Sequence, residues 1–207
     1  MVIFMKQSVF SILFYPKEFI RSGRMPSKLF TCAVAWCYGM TYLFGKACSM
    51  SLGNTYRFSV ILLVNVCLAV FIGLVAFYIC SFFLYLFGKV FRGEANFSSV
   101  LNVFIWVHIL EIGSFFSWVC LMLLHGSTIF SQTLVQTNKF FVLTMGLLIV
   151  QIIFSIWQIV ILFRALEEAQ NFSPWRSILS VLCAWICLLL LDVVISWLVT
   201  QHVWSHS

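Results

Sequence analysis

Residues Ser59–Phe87 read SVILLVNVCLAVFIGLVAFYICSFFLYLF, a run that contains no charged side chain. An α-helix needs about 20 mostly apolar residues to cross the roughly 30 Å of hydrocarbon in a bilayer. Backbone groups surrounded by lipid must form their hydrogen bonds within the protein, and a helix does this within one segment. The run therefore predicts a membrane-spanning helix, and it decides the class of the fold.

Four more apolar runs are long enough to cross a bilayer. They are Leu29–Met50, Ser99–His125, Phe140–Phe163 and Trp175–Val199. The whole chain agrees with them, because 63% of its residues are hydrophobic and only 9% are charged, whereas a soluble domain has about 25% charged residues. We predict an all-α, polytopic membrane protein with five transmembrane helices within residues 29–200, followed by a short tail, residues 201–207.

The N-terminal segment, residues 1–28, is apolar but interrupted. Phe10, Leu13 and Phe14 fall at helical spacing, while Lys6 and Pro16 break the apolar pattern. No small-residue cleavage site of a signal peptide follows. We therefore expect an amphipathic helix that lies on the membrane surface and stays in the mature chain.

The distribution of Lys and Arg predicts the orientation. Nine of them flank the N-terminus or lie in the second and fourth loops, whereas three lie on the other side and the C-terminal tail has none. Positive charge accumulates in cytoplasmic loops. We expect a cytoplasmic N-terminus and an external C-terminus, in a bacterial inner membrane or, in a eukaryotic cell, an ER/Golgi-type membrane.

The two long loops on the predicted cytoplasmic side carry similar strings. Glu94–Ser98 reads EANFS and Glu168–Ser173 reads EAQNFS, which either convergence or an old duplication explains. We expect Ser98 and Ser173 to cap the helices that follow, with Pro174 at a first helical position. The loop residues that are candidates for binding are Arg92, Glu94, Phe97, Arg164, Glu167, Glu168 and Phe172.

Charged and ionisable residues inside the predicted spans are the other candidates, because each is costly in lipid. His108 and Glu111 lie one turn apart near the middle of the third span. Lys46 and Asp192 lie at equal distances from the cytoplasmic ends of the first and fifth spans, which run in the same direction. We predict that Lys46 and Asp192 form an ion pair.

Two roles remain open for His108 and Glu111. They line a polar path and exchange protons, as in transporters, or they face inward and bond to polar neighbours. Those neighbours are Asn102, Asn65, Gln151 and Gln158. Two ligands alone do not make a metal site, so we expect no metal there.

Several classes of function lack a sequence signal. The net charge is +6, but no basic stripe interleaved with aromatic residues indicates nucleic-acid binding. The eight cysteines lie in or beside apolar runs without zinc-finger spacing. No phosphate-binding loop or nucleophile elbow is present. We expect a non-enzymatic protein without a cofactor.

Three stretches resemble the Yip (Ypt/Rab-interacting protein) domain family, and in particular its short bacterial members. They are Tyr15–Ile20, with a proline after an aromatic residue, Leu86–Ser98 before the third span, and Phe163–Ser173 before the fifth. The resemblance covers most of the chain. It implies five membrane helices and a cytoplasmic N-terminus.

Three functions compete as expectations, and the third, an enzyme, has no motif that indicates a reaction class. The first is a membrane organiser or adaptor whose cytoplasmic face binds a partner or anionic lipid. The second is a small transporter, channel or lipid-moving protein that uses Glu111, His108 and Asp192. In each case the chain contacts the lipid bilayer, and a membrane-protein partner or a second copy is the other expected contact.

Overall fold

The computed structural model describes residues 9–131 and 141–204, and this part of the chain is helical with short connections. Its seven α-helices are α1 (Pro16–Arg21), α2 (Lys28–Ser49), α3 (Phe58–Val90), α4 (Phe97–Val107), α5 (Glu111–His125), α6 (Phe141–Gln170) and α7 (Pro174–Trp204). Short 3₁₀ segments cover Val9–Leu13, Leu52–Asn54, His108–Leu110 and Gly126–Phe130.

Four helical stretches in the described residues are long and apolar enough to cross a membrane. They are Phe58–Val90, Phe97–Phe130, Phe141–Gln170 and Pro174–Val194. Their outward faces carry large apolar side chains such as Leu63 and Ile152, which are 65% and 58% exposed. Helices that expose so much apolar surface require lipid around them. The chain is therefore an integral membrane protein.

The remaining predicted span, Leu29–Met50, is the first in the chain and corresponds to α2, which does not belong to those four. Its 22 residues have sufficient length, but Tyr38, Thr41, Tyr42 and Lys46 make it more polar than the others. Its place in the bundle is nevertheless central, because Val34, Ala35, Met40 and Phe44 are all at most 2% exposed. Four spans are shown, and α2 as a fifth remains a prediction.

Helices α2 and α3 pack through a reciprocal pair of small residues. A Cβ atom placed on Gly39 of α2 would overlap the carbonyl oxygen of Ala69, and one on Gly73 of α3 would overlap that of Ala35. The spacing is small-x-x-x-small on both helices, which allows two backbones to approach closely in a membrane. Ala69 and Gly73 are thus packing residues, and Ala35-x-x-x-Gly39 is their partner.

The N-terminal segment differs from the single amphipathic helix that we predicted. A 3₁₀ segment, Val9–Leu13, is followed by a break and by α1, because Pro16 takes the first position of a new helix. Ile12 and Phe19 are buried within the protein, at 0% and 1% exposure, while Phe14 is 72% exposed. The segment docks on the bundle, and residues 1–8 lie outside the described part.

The third span is interrupted, although we predicted one helix over Ser99–His125. The helix tightens to a 3₁₀ turn at His108–Leu110 and resumes at Glu111. No proline causes this change, and a 3₁₀ turn within a long helix indicates local strain or a hinge. Both candidate residues of this span therefore lie at its least regular point.

Three boundaries also differ from the prediction. Helix α6 continues beyond Phe163 to Gln170, because RALEEAQ consists mainly of good helix formers, so Arg164, Glu167 and Glu168 are helical residues. Helix α7 starts at Pro174 as predicted but continues past Val199 to Trp204, into the predicted tail. The cap of α4 is Asn96, whose side chain accepts from Ser99 N at 2.8 Å, and Ser98 is already helical.

Candidate functional site

The N-terminal segment and the two loops meet at one end of the bundle. Trp106 Nε1 donates a hydrogen bond to Arg24 O at 3.0 Å, and Glu94 N donates one to Gln170 O at 3.2 Å. We call this surface, formed by residues 9–28, 91–96 and 171–176 with the last turns of α6, the loop face. The contacts between these segments bring them together at one end of the bundle.

Two ion pairs hold the N-terminal segment to the end of α6. Lys17 Nζ lies 2.7 Å from Glu167 Oε1, and Arg21 Nε lies 2.8 Å from Glu168 Oε1. The hydrogen bond to Glu168 raises the pKa of the exposed Arg21 guanidinium above its ordinary value, so Arg21 stays charged. The acidic candidates Glu167 and Glu168 therefore bind residues of their own chain.

Ring packing supports the same docking. Phe19 meets Trp106 edge to face with ring centroids 4.9 Å apart, and Phe30 meets the same ring at 4.7 Å. Such aromatic pairs stabilise a contact by about 0.5–1.5 kcal/mol beyond the burial of their area. The family-like Tyr15–Ile20 stretch thus acts as a local structural anchor.

The two loops begin with the same turn. After α3, Arg92 adopts a left-handed conformation with φ +65°, and Gly93 N donates to Gly88 O at 2.8 Å. After α6, Asn171 adopts φ +56°, and Phe172 N donates to Glu167 O at 2.9 Å. Both are Schellman motifs, which satisfy the last carbonyls of a helix.

The matching strings do not occupy matching positions in these turns. Glu168 lies in the last turns of α6, whereas Glu94 follows the turn after α3. Phe97 begins α4, whereas Phe172 lies in its loop and is 7% exposed. Arg92 aligns structurally with Asn171, so the structure favours convergence of the two strings over duplication.

Basic side chains dominate what the loop face exposes. Lys28, Arg92 and Arg176 are exposed, and so are Trp175 at 74% and Met25 at 73%. The remaining acid of the loops, Glu94, accepts a hydrogen bond from Asn171 Nδ2 at 3.3 Å. A mixture of cations with exposed apolar side chains is suited to a headgroup region or to a partner surface.

The intramembrane candidates occupy two neighbouring cavities. His108 lines a cavity of about 290 Å³ and Glu111 one of about 240 Å³, and Tyr38 and Ser155 line both. Their contacts match the inward-facing alternative in part. Thr41 Oγ1 lies 3.0 Å from Glu111 Oε2 and 2.8 Å from Tyr38 O, so its single hydroxyl hydrogen is shared between the two acceptors, and Gln158 also bonds to the Glu111 carboxylate.

His108 lies in an aromatic enclosure. Its Nδ1 donates to Phe104 O at 2.7 Å, and its ring lies 5.2 Å from both the Phe77 and Tyr38 rings, measured between centroids. The bond to a carbonyl, which can only accept, places the proton on Nδ1. Sequence reasoning missed Thr41 as the partner of Glu111, because a Thr in an apolar helix carries no distinctive signal.

The predicted pair of Lys46 and Asp192 is present. Lys46 Nζ lies 3.7 Å from Asp192 Oδ2, and the two side chains are 45% and 56% exposed. The pair lies at the end of the bundle opposite the loop face, since Lys46 is in the last turn of α2. In the described residues no group of three or more His, Cys, Asp or Glu side chains is arranged to hold a metal ion.

Comparison with known proteins gives a family. Neither the curated proteins nor the solved structures contain a match. The chain matches the Yip1 domain over residues 10–195, which is nearly its whole length. The match includes the docked N-terminal segment, all seven α-helices in whole or in part, and both loops. The resemblance drawn from the loop strings is thus confirmed, and this membrane protein belongs to the Yip1 domain family.

Proposed function

We propose that the protein is a non-enzymatic membrane adaptor whose loop face lies in the cytoplasm and binds a protein partner. The observation that carries this proposal is the preassembled loop face. Lys17–Glu167, Arg21–Glu168 and the Glu94–Gln170 hydrogen bond join three separate segments into one surface. A surface that is ordered before binding loses less conformational entropy when a partner arrives.

The charges of the surface support a cytoplasmic placement and an acidic partner. Of its acids, Glu167 and Glu168 are paired within the chain and Glu94 bonds to Asn171, so the exposed charges that remain are mainly basic: Lys28, Arg92 and Arg176 against Glu18. Unpaired basic residues attract negatively charged surfaces and increase the rate of association. Trp175 and Met25 add apolar area of the kind enriched at protein interfaces.

Arg92 allows a test that separates binding from folding. Its left-handed backbone is unfavourable for a residue with a Cβ atom, and glycine adopts it freely. Arg92→Gly therefore removes a charge while it relieves strain. Asn171→Gly is the control for the backbone change, because it relieves left-handed strain at the equivalent position without removing a charge; it also removes the 3.3 Å hydrogen bond to Glu94, so retained capture shows that neither change disrupts binding.

The experiment is quantitative affinity capture from the native membrane with the wild type, Arg92→Gly combined with Arg176→Gln, and Asn171→Gly. We expect partners retained by the wild type and by Asn171→Gly to be depleted at least fivefold with the double variant. Equal capture by all three forms would contradict the adaptor proposal. A protease-accessible tag at the N-terminus tests the cytoplasmic placement separately.

Transport is the second candidate, and the cavities favour it. The cavity lined by His108 and the cavity lined by Glu111 share Tyr38 and Ser155, so two ionisable side chains lie in adjacent space inside the bundle. Glu111→Gln keeps the size of the side chain and removes its charge, while an NH₂ donor replaces one of the two acceptor oxygens. A pH-dependent flux in liposomes that the wild type supports and Glu111→Gln abolishes would favour transport, and the adaptor should tolerate this change.

A further inference from the structure

A third cavity lies on the membrane-facing side of the bundle, between α2, α3 and α7. Its volume is about 590 Å³, within the range of small-molecule sites. The lining is mostly apolar, with Phe71, Val75 and Ile79 from α3 and Leu188 and Leu189 from α7. We call this cavity the lateral groove. It is separate from the loop face, and the proposed adaptor function does not depend on it.

One end of the lateral groove is charged. Lys46 and Asp192 line it there, together with Tyr42. Their contact at 3.7 Å is long for an ion pair with direct hydrogen bonds, and each side chain stays about half exposed. Both groups therefore have hydrogen-bonding capacity left for a ligand that carries one charge of each sign.

The groove has the length of one leaflet. From Phe71 to Cys80 along α3, at 1.5 Å per residue, it extends over about 14 Å. Half of the roughly 30 Å hydrocarbon core is about 15 Å. Lys46 lies three residues before the end of α2, so the charged end faces the membrane boundary opposite the loop face. Phe71 and Cys80 lie 13 and 10 residues from the two ends of α3, so the apolar part reaches across the middle of the bundle.

We propose that the lateral groove binds one phospholipid with a phosphoethanolamine headgroup, in the leaflet opposite the loop face. The Lys46 ammonium donates to the phosphate, and the Asp192 carboxylate accepts from the lipid ammonium. An acyl chain lies along Val75, Ile79 and Leu188. A choline headgroup fits less well, because its quaternary ammonium has no hydrogen to donate to Asp192.

The test uses the full-length protein in nanodiscs that contain phosphatidylethanolamine and phosphatidylcholine in equal amounts. Native mass spectrometry after release measures the lipid that stays on each chain. We expect about one phosphatidylethanolamine per chain with at least tenfold preference over phosphatidylcholine. Asp192→Asn should reduce that preference at least fivefold, Lys46→Gln should lower the retention of both lipids at least fivefold because both carry the phosphate, and Lys46→Arg should preserve retention and preference.

A variant that fills the groove keeps the test decisive if the charge variants fold poorly. Ala76 lines the groove, so Ala76→Trp should displace the lipid. Ile152→Trp adds the same side chain to the lipid-facing surface of α6 and should leave retention unchanged. Equal retention of both lipids by the wild type, unchanged retention in Ala76→Trp, or a dimer that covers the groove would each overturn the proposal.

Discussion

The close crossing of α2 and α3 makes a prediction that can be checked against a control on the same helix. A Cβ atom on Gly39 would lie 2.9 Å from Ala69 Cα and closer still to its carbonyl oxygen, whereas ordinary van der Waals contact starts at 3.4 Å. The obstacle is backbone, so no side-chain rotation relieves it. Gly39→Ala therefore forces the two helices apart.

The size of the effect follows from two opposing contributions. Overpacking a well-packed interior costs about 1–3 kcal/mol, and replacing a helical glycine with alanine gains about 0.8–1.0 kcal/mol of helix propensity. At Gly45, also on α2, a Cβ atom would meet nothing within 4 Å. Gly45→Ala therefore has only the gain in helix propensity. We expect Gly39→Ala to be less stable than Gly45→Ala by about 1–3 kcal/mol, the cost of overpacking.

The assay is reversible unfolding of the protein in detergent or bicelles, with thermal unfolding as a second readout. The double variant Gly39→Ala/Gly73→Ala adds a further check. Once the helices have separated for one methyl group, the second should cost less, so the two effects should be less than additive. If Gly39→Ala proves as stable as Gly45→Ala, the helices do not cross as described and the reasoning fails.

Three other predictions concern the ion pairs and the polar cluster. Lys17→Glu should undock the N-terminal segment and increase its cleavage by a protease, and adding Glu167→Lys should restore protection because the pair is then reversed. Lys46→Ala should destabilise the protein by up to about 1 kcal/mol, the usual limit for exposed pairs, and Asp192→Asn should partly rescue it; independent effects in this double-mutant cycle would count against the pair. Thr41→Val should cost about 1–3 kcal/mol in unfolding measurements, because it leaves the Glu111 carboxylate with one fewer hydrogen bond, and unchanged stability would show that this bond is dispensable.

The spans were predictable because a helix that crosses the hydrocarbon needs about 20 mainly apolar residues, and runs of that length are visible in the sequence. Apolar runs of the required length in four segments correspond to helices α3 to α7, and equal depth along two parallel helices was enough to pair Lys46 with Asp192. Helix ends were less predictable. Helix α6 continues as RALEEAQ because a helix does not have to stop where the hydrocarbon stops.

The segments that form the loop face were predictable from the sequence, but the contacts between them were not. Positive residues and similar strings identified its segments, and the structure brings these segments together at one end of the bundle. The ion pairs of Glu167 with Lys17 and of Glu168 with Arg21 were not predictable, because contacts between residues about 150 positions apart depend on the fold. Glu167 and Glu168, which the sequence analysis named as candidates for binding, form ion pairs that hold the N-terminal segment to α6.

The polar character of α2 is best explained by its position as an inner helix. Its polar side chains have specific partners, since Thr41 bonds to Glu111, Lys46 pairs with Asp192, and Trp36 Nε1 donates to Val66 O at 3.3 Å. A helix that meets α3 through glycine and alanine needs less apolar surface than one that faces lipid on every side. Low hydropathy is therefore compatible with α2 as one of five spans. An odd number of spans predicts that tags at the two ends of the chain report from opposite sides of the membrane. Tags that report from the same side would exclude α2 as a span, and the placement of the lateral groove in the leaflet opposite the loop face would then be wrong.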